Sequence, residues 1–167
     1  KEKINPMPID IISILENLSI QYEWIDHPAV YTSEEARELV PHRPARAAKN
    51  LFLRDKKGKR HILLVVDDHK SVQFKDLEKQ TGLSHLSMGS PDLMLRHLGV
   101  TPGAVSLLAL VNDPDGNVEV LVDRDLWNGD QIQAHPLVNT ATIVMAIADM
   151  ERFITHTGHS IQFVDVS

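Results

Sequence analysis

The 167-residue chain has no cysteine, which excludes disulfides, thiolate nucleophiles and thiolate metal sites. It also lacks any apolar run near the roughly 20 residues that a membrane-crossing helix needs, and its first residues hold no signal-peptide core. A cytoplasmic location is therefore expected. Positive charge is in short supply: the formal net charge is −6. That balance argues against generic, high-affinity binding to DNA or any other nucleic acid, because phosphate contacts need a surplus of Lys and Arg. The basic residues do gather locally, with His42, Arg43, Arg46 and Lys49 in one cluster and Lys56, Lys57, Lys59 and Arg60 in another. Linkers, repeats and low-complexity stretches are absent.

The usual hydrolase and metal signatures are missing too. Gly89-Ser90-Pro91 is no nucleophile elbow, since the proline and the absent second glycine fit a helix cap instead. Nine histidines are present without an HExxH pattern, and Gly158 separates His156 from His159 on what would otherwise be one helix face. Asp67-Asp68-His69 reads as a solvated strand-end loop. No metal and no cofactor are expected.

Hydrophobic content of 43% with 24% charged residues suits one globular domain over residues 1–167. Apolar spacing predicts a helix over Pro8 to Leu18, and alternation predicts a strand over Ile20 to Trp24. Thr32-Ser33-Glu34-Glu35 is a capping box for a short helix through Leu39, ended by Pro41 and Pro44. Leu51 to Asp55, the turn Lys56-Lys57-Gly58-Lys59 and His61 to Val66 form a hairpin pattern. Helices are predicted over Phe74 to Gln80 before Gly82, and over Ser90 to His97 before Gly99. Apolar runs Val105 to Val111 and Val118 to Val122 flank a turn-rich Asn112 to Asn117. Gln131 to Ala134, a strand over Thr142 to Met145, a helix over Ala148 to Thr157 and a strand over Ile161 to Val166 complete the chain. Strands come in hairpins and pairs, so the predicted fold is α+β with one mixed, mostly antiparallel curved sheet flanked by helices.

Two polar islands interrupt this apolar pattern. Lys49-Asn50 precedes Leu51-Phe52-Leu53, where small Ala47 and Ala48 leave the ammonium unshielded at a strand mouth as a point charge for a phosphate or a ribose. Far downstream, His135 is held out of helical conformation by Pro136. Asn139 follows, able to donate and accept. Gly103 after Pro102 marks a tight turn, and Thr32 reads first as a helix cap.

Taken in order, His27-Pro28-Ala29-Val30-Tyr31-Thr32, Lys49 to Asp55, Ser90-Pro91, Leu98 to Val105, Asn112-Asp113 and His135-Pro136 with Asn139 resemble the YbaK/ProX family of aminoacyl-tRNA editing domains. Its alanyl-tRNA(Pro) deacylase branch is the most similar, and the likeness runs from about His27 to the C-terminus. Ile143 stands where a second Thr is usual, and Met88-Gly89 where an aromatic residue and Ala are common; both departures bear on amino-acid specificity. The resemblance implies hydrolysis, in trans, of an aminoacyl ester on the terminal adenosine of mischarged tRNA(Pro), with prolyl-tRNA synthetase as a possible partner. It implies Lys49, His135 and Asn139 as catalytic residues, and Asn50, Gly103, Ala104, Pro136 and Thr32 as substrate-binding ones. Editing of Cys, Ser or Thr, or a non-catalytic module that binds aminoacyl-tRNA or the synthetase, are the alternatives.

Overall fold

The structure, a computed structural model, describes residues 10–39 and 45–167. Pro8, Pro41, His42, Arg43 and Pro44 lie outside them. The first helix, α1 (Ile11–Asn17), starts where the Asp10 carboxylate accepts from the Ser13 amide at 3.2 Å, filling one of the amide vacancies of a helix start. Ser19, at φ 56°, closes it. Strand β1 is Tyr22–Asp26, two residues later than its alternation suggests, because the Ile20 amide is still bonded to the Leu15 carbonyl in the turn. The capping residue Thr32 leads into α2 (Ser33–Leu39).

The expected hairpin is β2 (Ala48–Arg54) against β3 (His61–Asp67), with Ala48 opposite Asp67 and Arg54 opposite His61. Asp55 shapes its turn by accepting from the amides of Lys59 and Arg60 at 3.0 and 3.1 Å. Then follow α3 (Phe74–Thr81), β4 (Ser87–Met88), α4 (Pro91–Leu98), β5 (Val118–Asp123), β6 (Gln131–Ala134), β7 (Ala141–Ala146), α5 (Ile147–His156) and β8 (Ile161–Val164). The α4 helix is capped by the Ser90 hydroxyl and ended by Gly99 at φ 66°, as its sequence predicts.

Two sheets are formed rather than one. A three-stranded sheet runs β1-β7-β6, and a five-stranded sheet runs β4-β2-β3-β5-β8. A bridge between Arg46 and Ile132 joins them, with the Arg46 amide donating to the Gln131 carbonyl and its carbonyl accepting from the Gln133 amide, both at 3.0 Å. Pairing is mostly antiparallel, but β3-β5 and β5-β8 are parallel. The crossovers account for the near-continuous apolar runs of β3 and β5, which are buried on both faces. Leu63, Val65, Val120 and Val122 pack with α4, α5 and the smaller sheet. Ile62, Leu64, Val66 and Leu121 face the other way, onto Leu77, Leu83 and Leu86.

The apolar run Val105 to Val111 is not a strand. Leu107–Asn112 is a 3-10 helix capped by Ser106, whose hydroxyl accepts from the Leu108 amide at 3.2 Å and donates to the His135 carbonyl at 2.6 Å. Its leucines are apolar all round because the segment is enclosed, not because it alternates across a sheet.

Candidate active site

Where the start of β2 meets the end of β6, beside the bridge between the sheets, lies a cavity of about 260 Å³. Its walls come from Ala47 to Asn50, from Gln133 to His135, from Thr142 on β7, and from the segment Val30 to Thr32 with Gly103 behind it. Short side chains at Ala47, Ala48 and Ala134 leave the space open.

Lys49, half-buried on β2, donates its Nζ to the Lys70 carbonyl. That carbonyl is itself fixed. The Lys70 ammonium donates to Asp123 at 3.0 Å, to Asp125 at 2.6 Å and to the Val166 carbonyl at 2.7 Å. Burial works against the Lys70 charge, but the hydrogen bonds to Asp125 and Asp123 outweigh it, so its pKa lies above the ordinary lysine value. Asp123, fully buried, also accepts from the Asp67 amide at 3.1 Å. A brace thus runs from the far strands of the large sheet to Lys49.

His135 lines the opposite wall, with Nδ1 at 3.3 Å from the Ala141 carbonyl. A carbonyl only accepts, so Nδ1 carries the hydrogen and the neutral ring keeps Nε2 as an acceptor. Burial is the main cause that holds the His135 pKa below its ordinary value; the Ala141 bond opposes this, and His27 adds to it.

Gly103 adopts φ 94°, and a Cβ there would sit 2.7 Å from the Val30 carbonyl oxygen and 3.3 Å from the Tyr31 Cα. Only glycine allows the two backbones to approach this closely. Thr32 both lines the cavity and caps α2, accepting from the Glu35 amide at 3.2 Å. The Glu35 carboxylate accepts from the Tyr31 amide rather than from Thr32, one residue off a standard capping box.

Lys49, Asn50, Thr32, Gly103 and His135 therefore converge on one cavity. Asn139, Ala104 and Pro136 stand behind its walls. Asn139 Nδ2 donates to the Val30 carbonyl at 2.9 Å, while the Asn139 backbone carbonyl accepts from the Val30 amide at 3.0 Å; it props the segment that Gly103 packs against. Ala104 and Pro136 are buried.

Of the Asp67-Asp68-His69 loop only His69 is exposed, against the solvated reading of all three. Asp67 pairs with Arg46 at 2.8 Å, and Asp68 is only 6% exposed and lines the cavity. Its amide bonds to Ala47 across the strand pair, which places the carboxylate beside β2, a proximity that only the register reveals. Tyr31, Thr142 and Gln133 also line the cavity. The second basic cluster sits at the other end of β2, about 20 Å from Lys49 at strand spacing, where Arg60 pairs with Glu119 at 2.6 Å. Among the described residues no three His, Asp or Glu side chains gather as metal ligands, and no helix is long and apolar enough to cross a membrane.

An α+β frame thus presents a small cavity with a lysine at a strand mouth and a half-buried imidazole on its wall. Residues 27–153 match the family model described as the aminoacyl-tRNA editing domain. The chain is 35% identical, over 93% of its length and 95% of the relative's, to the prolyl-tRNA editing protein ProX of Acetoanaerobium sticklandii. It is also 35% identical to prolyl-tRNA synthetase associated domain-containing protein 1 of Danio rerio, covering 92% of this chain and 86% of that one. Among solved structures, a candidate trans-editing enzyme for prolyl-tRNA synthetase has the same fold, with a TM-score of 0.70, 18% identity and 94% of each chain covered. The chain belongs to the aminoacyl-tRNA editing domain family.

Proposed function

We propose that this protein hydrolyses the aminoacyl ester of mischarged tRNA(Pro), with alanine as the main substrate, acting in trans in the cytoplasm and alongside prolyl-tRNA synthetase. The observation that carries this is the pairing of Lys49 and His135 across one small cavity in a member of the editing family. The Lys49 ammonium, steadied by the Lys70 carbonyl, holds the terminal phosphate or ribose at the mouth. Nε2 of His135 accepts a hydrogen from the attacking water or from the ribose hydroxyl beside the ester.

Among the described residues the cavity wall contains no serine; the Thr32 hydroxyl accepts from the Glu35 amide, and the Thr142 hydroxyl lies 2.9 Å from His27 Nε2. A protein nucleophile is not needed, because the ester is activated and the adjacent ribose hydroxyl can assist. Holding water and ester together and stabilising the oxyanion is sufficient. The rigid wall of Gly103 against Val30 then acts as a size limit: a pocket that admits alanine and excludes the proline ring spares the correct product, the logic of a second sieve.

Deacylation assays on tRNA(Pro) charged with Ala, Cys, Ser and Pro test this. Ala-tRNA(Pro) is expected to be hydrolysed fastest and Pro-tRNA(Pro) not at all. Preferential hydrolysis of the Cys or Ser ester would reassign the substrate, and tight binding with no hydrolysis would make the chain a binding module.

A further inference from the structure

Thr142 on the cavity wall contacts His27 behind it, a pair that the hydrolysis scheme leaves unused. His27 Nδ1 lies 2.8 Å from the Pro28 carbonyl oxygen and Nε2 lies 2.9 Å from Thr142 Oγ1. The carbonyl can only accept, so Nδ1 bears the hydrogen, and in the neutral ring Nε2 offers a lone pair. The Thr142 hydroxyl must then donate to His27. Its hydrogen is committed, and what remains for the cavity is an oxygen that only accepts.

The same construction recurs one residue away. The Ala141 carbonyl fixes the His135 tautomer just as the Pro28 carbonyl fixes that of His27. The two imidazoles therefore bracket the start of β7 and turn that corner of the cavity into a pair of acceptors, Thr142 Oγ1 and His135 Nε2, while Asp68 lines the same cavity from the β2 side. Thr142 is 2% exposed and its hydroxyl cannot swing out to solvent. Such a corner suits a group that has donors and no acceptors. An ammonium is that group.

We propose that Thr142 is the binding residue for the α-ammonium group of the aminoacyl ester, and that His27 is the positioning residue that turns the Thr142 hydrogen away from it. This rests on the editing reading above and extends it to how the amino acid is oriented. Holding the ammonium at the β7 corner leaves the ester carbonyl toward the mouth, where Lys49 and the tRNA end meet.

The test compares alanyl-tRNA(Pro) with lactyl-tRNA(Pro), in which a hydroxyl replaces the ammonium, each rate divided by the uncatalysed hydrolysis of that ester. The wild-type protein is expected to favour the alanyl ester by tenfold or more. Thr142→Val keeps the shape and removes the acceptor; it should lower kcat/KM on the alanyl ester about tenfold to a hundredfold, the range for a lost hydrogen bond to a charged group, and abolish the preference. Thr142→Ser should retain it. His27→Phe frees the Thr142 hydrogen and should shrink the alanyl-to-lactyl ratio, which a purely structural histidine would leave unchanged while slowing both esters. A wild-type protein without the alanyl preference, equal loss on the two esters in Thr142→Val, or an unchanged ratio in His27→Phe overturns the assignment and leaves the editing reading standing. A wild-type protein that hydrolyses neither ester overturns both.

Discussion

At Gly103 a single added carbon decides whether the cavity keeps its shape. Its φ of 94° and the 2.7 Å approach that a Cβ would make to the Val30 carbonyl oxygen both oppose any other residue, so Gly103→Ala should destabilise the fold by about 1–3 kcal/mol and push Val30 and Tyr31 into the substrate space. Denaturant unfolding reads the first effect, and a fall in deacylation larger than the lost folded fraction reads the second. His135 makes a prediction of different sign with pH. Its folded pKa lies below the ordinary 6.5 through burial, so as pH falls through that value the unfolded chain takes up the proton first. Stability therefore declines below about pH 6.5 and levels off only once the folded imidazole is also protonated. The acid limb of kcat/KM should accordingly fall below pH 6.5, and His135→Gln should remove that limb; a limb at or above 6.5 would mean that the imidazole is not held neutral by burial.

At the scale of elements, the strand mouth that carries Lys49 depends on residues far from it in sequence. Lys70→Met would leave the buried Asp123 facing Asp67 without its cation, costing stability in the direction of the roughly 3–5 kcal/mol known for breaking buried pairs, reduced because Lys70 is partly exposed. It should also free the Lys70 carbonyl that receives Lys49, so kcat/KM should fall and KM for the tRNA should rise. Lys70→Arg should restore stability more than turnover, since the longer fork cannot reproduce all three contacts. The same distinction explains what could be read from the chain. Local signals, such as Ser90 with Gly99 around α4 or the Asp55 to Arg60 turn, specified their elements because caps and turns are satisfied by near neighbours. Lys49-Asn50 and His135 were legible as polar interruptions of apolar sequence and Gly103 as a turn, whereas Thr32 read first as a helix cap. The parallel pairing of β3, β5 and β8, the burial of Asp68 and the placement of Asn139 behind Val30 were not, because each follows from contacts across crossovers. The 3-10 helix of Leu107–Asn112 was hidden for another reason: a fully enclosed apolar run has no period that tells helix from strand.

For the whole molecule, a net charge of −6 and a basic cluster removed to the far end of β2 leave few cations near the cavity among the described residues. Binding of uncharged tRNA(Pro) should be weak and its salt slope shallow, because few phosphates are neutralised. An ionic-strength titration checks this; sub-micromolar affinity at physiological salt would instead point to a protein built to retain tRNA. The central claim is that this cavity, through Lys49, hydrolyses the ester. Its most direct measurement is single-turnover hydrolysis of Ala-tRNA(Pro) in EDTA by the wild-type protein and by Lys49→Ala, with circular dichroism on both. Rapid hydrolysis by the wild type, spared Pro-tRNA(Pro) and strong loss in a natively folded Lys49→Ala are the expected results. Unchanged turnover in that variant, or wild-type activity that EDTA abolishes and zinc restores, would contradict it.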